Sequence, residues 1–185
     1  MRTDNQVAEQ RGCAGEPTAG SSKCGIAQSM LAEFEKELNT TRKFLERVPA
    51  ARLTWRPHEK SMTAGQLALH IAEVPGQALK LALADEVNPP DFANRPQPRT
   101  PGEVLDTLNE GTAFVRQALP TIDDACMQQT LKIVRVDRTT VSMPRANFLR
   151  SIMLNQWYHH RGQFGVYLRL LGALVPSSYG PSGDE

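Results

Sequence analysis

The stretch from about Arg145 to Leu171 constrains this chain most, because Leu149, Ile152, Met153, Phe164, Tyr167, Leu168 and Leu171 recur there at the spacing of one helix face with no proline between them. A helix with one apolar stripe gains most of its stability from tertiary packing, so this one must find other elements to cover the stripe. Gly172 supplies the stop. Three further stretches share the same periodicity. Met30, Leu31, Phe34, Leu38, Leu45 and Val48 mark a helix from Ile26 that ends at Pro49, with Glu33, Glu35, Lys36 and Glu37 on its other faces. Gln66, Leu67, His70, Ile71 and Val74 mark a second helix opened by Thr63, which Pro75 and Gly76 are expected to kink or break before it resumes. Val104, Leu105, Leu108, Phe114, Val115 and Leu119 mark a third, opened by Thr100 with Pro101 at the first helical position and stopped by Pro120.

Four amphipathic helices joined by connectors are best buried as a bundle, so the expected class is all-α, a four-helix bundle over residues 26–185. Residues 1–25 carry almost no large apolar side chain and are expected to form a disordered leader. The proline-rich NPPDFANRPQPRT is a loop, and LKIVRVDRTTVSMPR alternates around Asp137 and Arg138, which predicts a short hairpin or irregular excursion before the last helix. Tyr179 offers an anchor for a tail lying along the bundle. Lys and Arg total 21 against 20 for Asp and Glu, so neither nucleic acid nor an anionic membrane is favoured as a partner. No apolar run reaches the length of about 18 residues that a span requires, and with no secretory signal the expected location is cytoplasmic. Cys13, Cys24 and Cys126 lack close spacing and are expected to be free thiols.

Chemistry concentrates in the last helix, where Gln156, His160, Gln163 and Tyr167 follow one another at steps of four, three and four on a core-directed face. A buried polar group left without a partner costs about 1–3 kcal/mol, so these need a metal, a water or another polar side chain. His70, between Leu67 and Ile71 on the core stripe of the second helix, is the natural partner. Two facing helices that supply His70 and His160, with Gln156 one turn earlier, have the makings of a bundle metal site. The two histidines could equally pair through water or backbone. His159 points about 100° away from His160 and is peripheral, as a helper donor or a dimer contact. Gly162 would let a neighbouring helix approach, while Trp157 and Tyr158 read as packing.

The segments WRPHEKSMTAGQLALHIAEVPG and NQWYHHRGQFGVYLRLLG, with the ending PSSYGPSGDE, resemble the DinB family over roughly residues 30–183. The resemblance implies a four-helix bundle, often a homodimer, with a divalent metal held by three histidines. Residue by residue, the first falls on His70 in an H-x-A-E motif and the last on His160, just before Arg161, Gly162 and Gln163. The middle one falls on Gln156. An amide oxygen is a weaker ligand than imidazole for zinc or nickel, so the expected metal is weakly held or absent. The resemblance also implies that family members begin near Met30, which makes the first 29 residues an extension or the result of a misplaced start codon.

The implied activity is that of a metal-dependent hydrolase or thiol transferase on a small-molecule substrate. Its rival is a non-catalytic dimeric scaffold or small-ligand-binding bundle with a decayed metal site. Glu73, one turn from His70, is the candidate general base, although a solvent-facing or supporting carboxylate is the simpler reading.

Overall fold

A computed structural model describes residues 25–84, 86–87, 94–134, 137 and 140–185. Its order is α1 (Ile26–Glu46), α2 (Ala64–Ala82), β1 (Glu86–Val87), α3 (Pro101–Ala118), a short α4 (Asp124–Gln128), β2 (Thr130–Val134), β3 (Thr140–Pro144), α5 (Arg145–Phe148), a π-helical segment (Leu149–Asn155) and α6 (Gln156–Leu170). The four long helical spans pack around one core in which Phe34, Leu67, Ile71, Leu108, Leu149, Trp157 and Phe164 are fully buried. That is the expected helical bundle. β2 and β3 form the expected hairpin, and β1 adds a parallel edge to β2 that periodicity does not announce, since two residues carry no alternation. The leader and the two cysteines in it, Cys13 and Cys24, lie outside the described residues. Cys126 is disulfide-bonded, which corrects the expectation of a free thiol at that position. Among the described residues, no helix is long and apolar enough to cross a membrane.

Capping follows the sequence. The Thr63 side chain accepts from the Gln66 backbone while the Gln66 side chain returns to the Thr63 N–H, and Thr100 caps α3 through the Glu103 N–H. Of the kink or break expected at Pro75, a break does not occur: α2 runs through it to Ala82. Proline there leaves the Ile71 carbonyl without its helical donor, and the Trp157 indole N–H takes that place at 2.9 Å. Gly76 completes the arrangement, because a Cβ there would stand 2.9 Å from the Gly111 Cα and push α3 away. Trp157→Phe should therefore cost about 1–3 kcal/mol by orphaning the Ile71 carbonyl. Urea unfolding would measure it, and a change of a few tenths would show that the carbonyl finds water instead.

The face of α1 toward α6 is polar and carries Glu37, which periodicity sets off the apolar stripe. Glu37 is 7% exposed and Thr41 fully buried, and both meet Arg161, itself 2% exposed. The Arg161 guanidinium pairs with the Glu37 carboxylate at 2.7 Å and donates to Thr41 Oγ1 at 3.2 Å. Tyr179 in the tail donates to the same carboxylate at 3.0 Å and lays its ring beside Arg161, which makes it the anchor expected of it. Glu33, one turn earlier, accepts both Arg150 nitrogens at 2.7 Å and the Tyr158 hydroxyl at 2.8 Å. At the far end, Arg145 donates to the Ala82 and Ala84 carbonyls and so closes the C-terminus of α2.

Candidate metal centre

α2 and α6 carry the two histidines to one another. The ring centroids of His70 and His160 stand 4.6 Å apart at 75°. His70 Nε2 is buried and has no hydrogen-bond partner among the described residues. His160 Nδ1 lies 3.0 Å from Gln163 Oε1. With an amide oxygen facing it, Nδ1 carries the hydrogen and Nε2 keeps its lone pair. This is the way a bundle orients an imidazole whose other nitrogen is needed elsewhere.

Gln156 opens α6 one turn before His160, half-buried; its backbone N–H donates to the Ser151 carbonyl, while its side chain makes no hydrogen bond among the described residues. The central buried line of α6 is held by Trp157, Arg161, Phe164 and Leu168, so Gln156, His160 and Gln163 sit on its flank rather than at its centre. The π-helical segment just upstream accounts for the shift: its wider turns rotate α6 relative to a strict 3.6-residue extrapolation from Leu149 and Ile152. His159 is exposed, with its ring 5.0 Å from that of His160, in the peripheral position expected. A Cβ added at Gly162 would meet nothing within 4 Å, which corrects its assigned packing role; Gly165 has it instead, since a Cβ there would stand 3.2 Å from Phe44 Cε1 on α1.

A small cavity of about 20 Å³, room for about one water, opens beside His70, lined by Gln66, Leu69, Glu73, Arg95 and Pro96 as well. Glu73 is half-buried, and desolvation raises its carboxyl above the ordinary range despite the nearby Arg95 cation, so it does not simply face solvent. Arg95 escaped the sequence reading, because a lone arginine in a proline-rich loop has no periodic signature. Burial, then His160 and then Arg95 bring the His70 imidazole down to about 4. Burial also lowers His160, against the opposing hydrogen bond that its ring donates to Gln163, with His159 and Arg95 adding to the lowering. Both rings are thus held neutral near pH 7, the form that can donate a lone pair.

The DinB family model matches residues 21–185. The chain belongs to the DinB family. The chain is similar to the uncharacterized protein YrdA of Bacillus subtilis strain 168, with 27% identity over 157 residues, 84% of this chain and 89% of that one. It also resembles the crystal structure of a DinB-like protein from Bacillus cereus ATCC 10987, with 25% identity and a TM-score of 0.66 over 82% of this chain and 97% of that one.

The donors in this DinB chain suit a divalent ion in part. Two neutral imidazoles lie in contact, one with a buried orphan nitrogen and the other oriented by Gln163. Among the described residues, however, no group of three His, Cys, Asp or Glu side chains could hold a metal; Gln156 lies one turn before His160 on α6.

Without metal, the same burial predicts a pH effect. The folded-state pKa of His70 lies near 4, below the unfolded value of about 6.5. The unfolded chain therefore binds more protons between these limits, and stability present above pH 6.5 is lost as pH falls toward 4. For this partly exposed ring, discounted for solvent screening, the loss should be about 2 kcal/mol. Urea midpoints in EDTA at pH 7 and pH 4.5 would show it, and His70→Gln should flatten the difference; equal slopes in both proteins would reject it.

Proposed function

We propose that this DinB protein binds a divalent ion, zinc or nickel, through His70 and His160 with the amide oxygen of Gln156, and acts as a metal-dependent hydrolase or thiol transferase on a small molecule. One observation carries the reading: neutral imidazoles from separate helices touch at 4.6 Å while His70 Nε2, buried, is left with no partner among the described residues. An orphaned buried nitrogen costs about 1–3 kcal/mol, and an ion is a ligand that removes the cost.

A divalent ion with open positions supplies acidity, lowering the pKa of a water or thiol toward neutrality. The chain's own residues set up the rest. Gln163 fixes the His160 ring through Nδ1. Glu73, beside His70 in the cavity and with its carboxyl raised, is placed to take and hold a proton. Leu69 and Pro96 provide apolar wall. Exposed Val166, Leu170 and Leu174 give the outer surface of α6 and the turn after it an apolar face of the kind a homodimer would bury.

The lack of a third imidazole or carboxylate among the described residues favours a second reading, a non-catalytic bundle that has lost its metal. Metal analysis separates the two. Protein purified without chelator or affinity tag should hold close to one equivalent of zinc or nickel, and His70→Ala should hold none. Metal-free wild type that takes up no ion on titration would overturn the first reading.

A further inference from the structure

The start of α1 lies against α4. The Ile26 N–H donates to the Asp124 carboxylate at 2.8 Å, and a Cβ added at Gly25 would stand 3.1 Å from Asp124 Oδ1. Further along the same short helix, Cys126 is 5% exposed, its N–H is held by Asp123 at 2.6 Å, and its sulfur is in a disulfide bond. The chain has three cysteines, so the other half of that bond is Cys13 or Cys24.

Chain geometry separates the two. Bonded cysteines need their Cα atoms about 4.4–6.8 Å apart. The Cα of Cys24 is one peptide, about 3.8 Å, from that of Gly25, which is already against α4. Cys13 is separated from Cys24 by AGEPTAGSSK, a stretch with no large apolar side chain to offset the cost of ordering it against α4.

We infer that Cys24 is bonded to Cys126 and that the bond is a redox-dependent staple: oxidised, it locks the start of α1 to α4; reduced, it leaves that junction to the Asp124 contacts. The bond closes a loop of about 100 residues, a length at which a cross-link strongly restricts the unfolded chain. α4 leads directly into β2, and the Arg145 N–H donates to the Gln129 carbonyl at 3.0 Å, so the staple ties α1 to the hairpin as well. Closure is a thiol–disulfide exchange. A low-molecular-weight disulfide such as oxidised glutathione takes two electrons and both thiol protons, leaving as two thiols while the Cys24–Cys126 S–S bond forms.

Full-length protein equilibrated with oxidised glutathione would be alkylated, isolated as the monomer, digested with trypsin and examined unreduced by mass spectrometry. Cleavage after Lys23 puts Cys13 and Cys24 on different peptides, so the expected product is residues 24–36 linked to residues 117–132. A Cys13–Cys126 link, or Cys126 recovered alkylated, overturns the pairing. Reduction with a phosphine should lower the urea midpoint of wild type, with a loss of about a hundredfold in the folding equilibrium constant. It should leave Cys24→Ser unchanged, while Cys13→Ser should respond as wild type does. A linked wild type whose midpoint does not move on reduction overturns the staple, and both wild-type readouts stand even if a variant fails to fold.

Discussion

Arg161→Met is expected to remove about 3–5 kcal/mol of folding stability, the cost typical of leaving one member of a buried ion pair without its partner. Arg161 and Glu37 are both almost completely enclosed, and the guanidinium also serves Thr41 Oγ1 and the Glu37 backbone carbonyl. Methionine fills much of the same volume, so the loss would come from the stranded carboxylate rather than from a hole. Tyr179 would remain as its hydrogen-bond donor, but a phenol does not replace a positive charge. Changing both residues, Arg161→Met with Glu37→Met, should recover much of the loss, since an apolar pair needs no compensation. Urea unfolding of the two single variants and the double variant tests this as a cycle. A loss below about 1 kcal/mol in Arg161→Met would mean that water reaches Glu37 and that the pair is not sealed. Because domains of this kind rest on margins of about 5–15 kcal/mol, the single variant should also be visibly less stable to heat.

Sequence periodicity was sufficient for the bundle because each long helix announces its own buried stripe: Phe34 and Leu38 in α1, Leu67 and Ile71 in α2, Val104 and Leu108 in α3, Phe164 and Leu168 in α6 are all buried. Periodicity does not show exceptions that depend on a distant partner. Pro75 reads locally as a kink or break, and only Trp157, far along the chain, reveals why the helix runs on through it. Glu37 and Arg161 lie off the apolar stripes, and nothing in the periodicity pairs them until they are seen to face one another. The polar exception on α1 is still partly written in the chain, since Glu33, Glu37 and Thr41 fall at steps of four.

The candidate site divides in the same way. Core-stripe position marked His70, and the pairing of His70 with His160 followed from both the stripes and the resemblance to the DinB family. The structure brings those two rings together. Gln163, named for sharing a face with His160, has a further role as the group that orients it. Arg95 could be found only from the fold, because its position depends on Gly65 and Gln97 holding a loop against α2.

Gln156→His should tighten zinc or nickel binding by about 100-fold, judging from the 10–100-fold lost when only a supporting residue of a metal site is removed. The substitution places an imidazole one helical turn before His160, on the same flank of α6, and so adds a nitrogen ligand where the chain has an amide. Helical geometry makes this a small structural change, since residues four apart project side by side. The effect should vanish in Gln156→His/His70→Ala if the new ring joins the existing pair rather than making a site of its own with His160. Competition with a chelator gives the affinities, and the visible spectrum of a cobalt-loaded sample reports whether the extra nitrogen coordinates. An unchanged affinity together with an unchanged cobalt spectrum would mean that position 156 does not reach the ion. The metal reading would then reduce to the two histidines, with whatever the cavity beside Glu73 and Arg95 adds, and such a two-imidazole centre would exchange its ion too readily to retain it through purification.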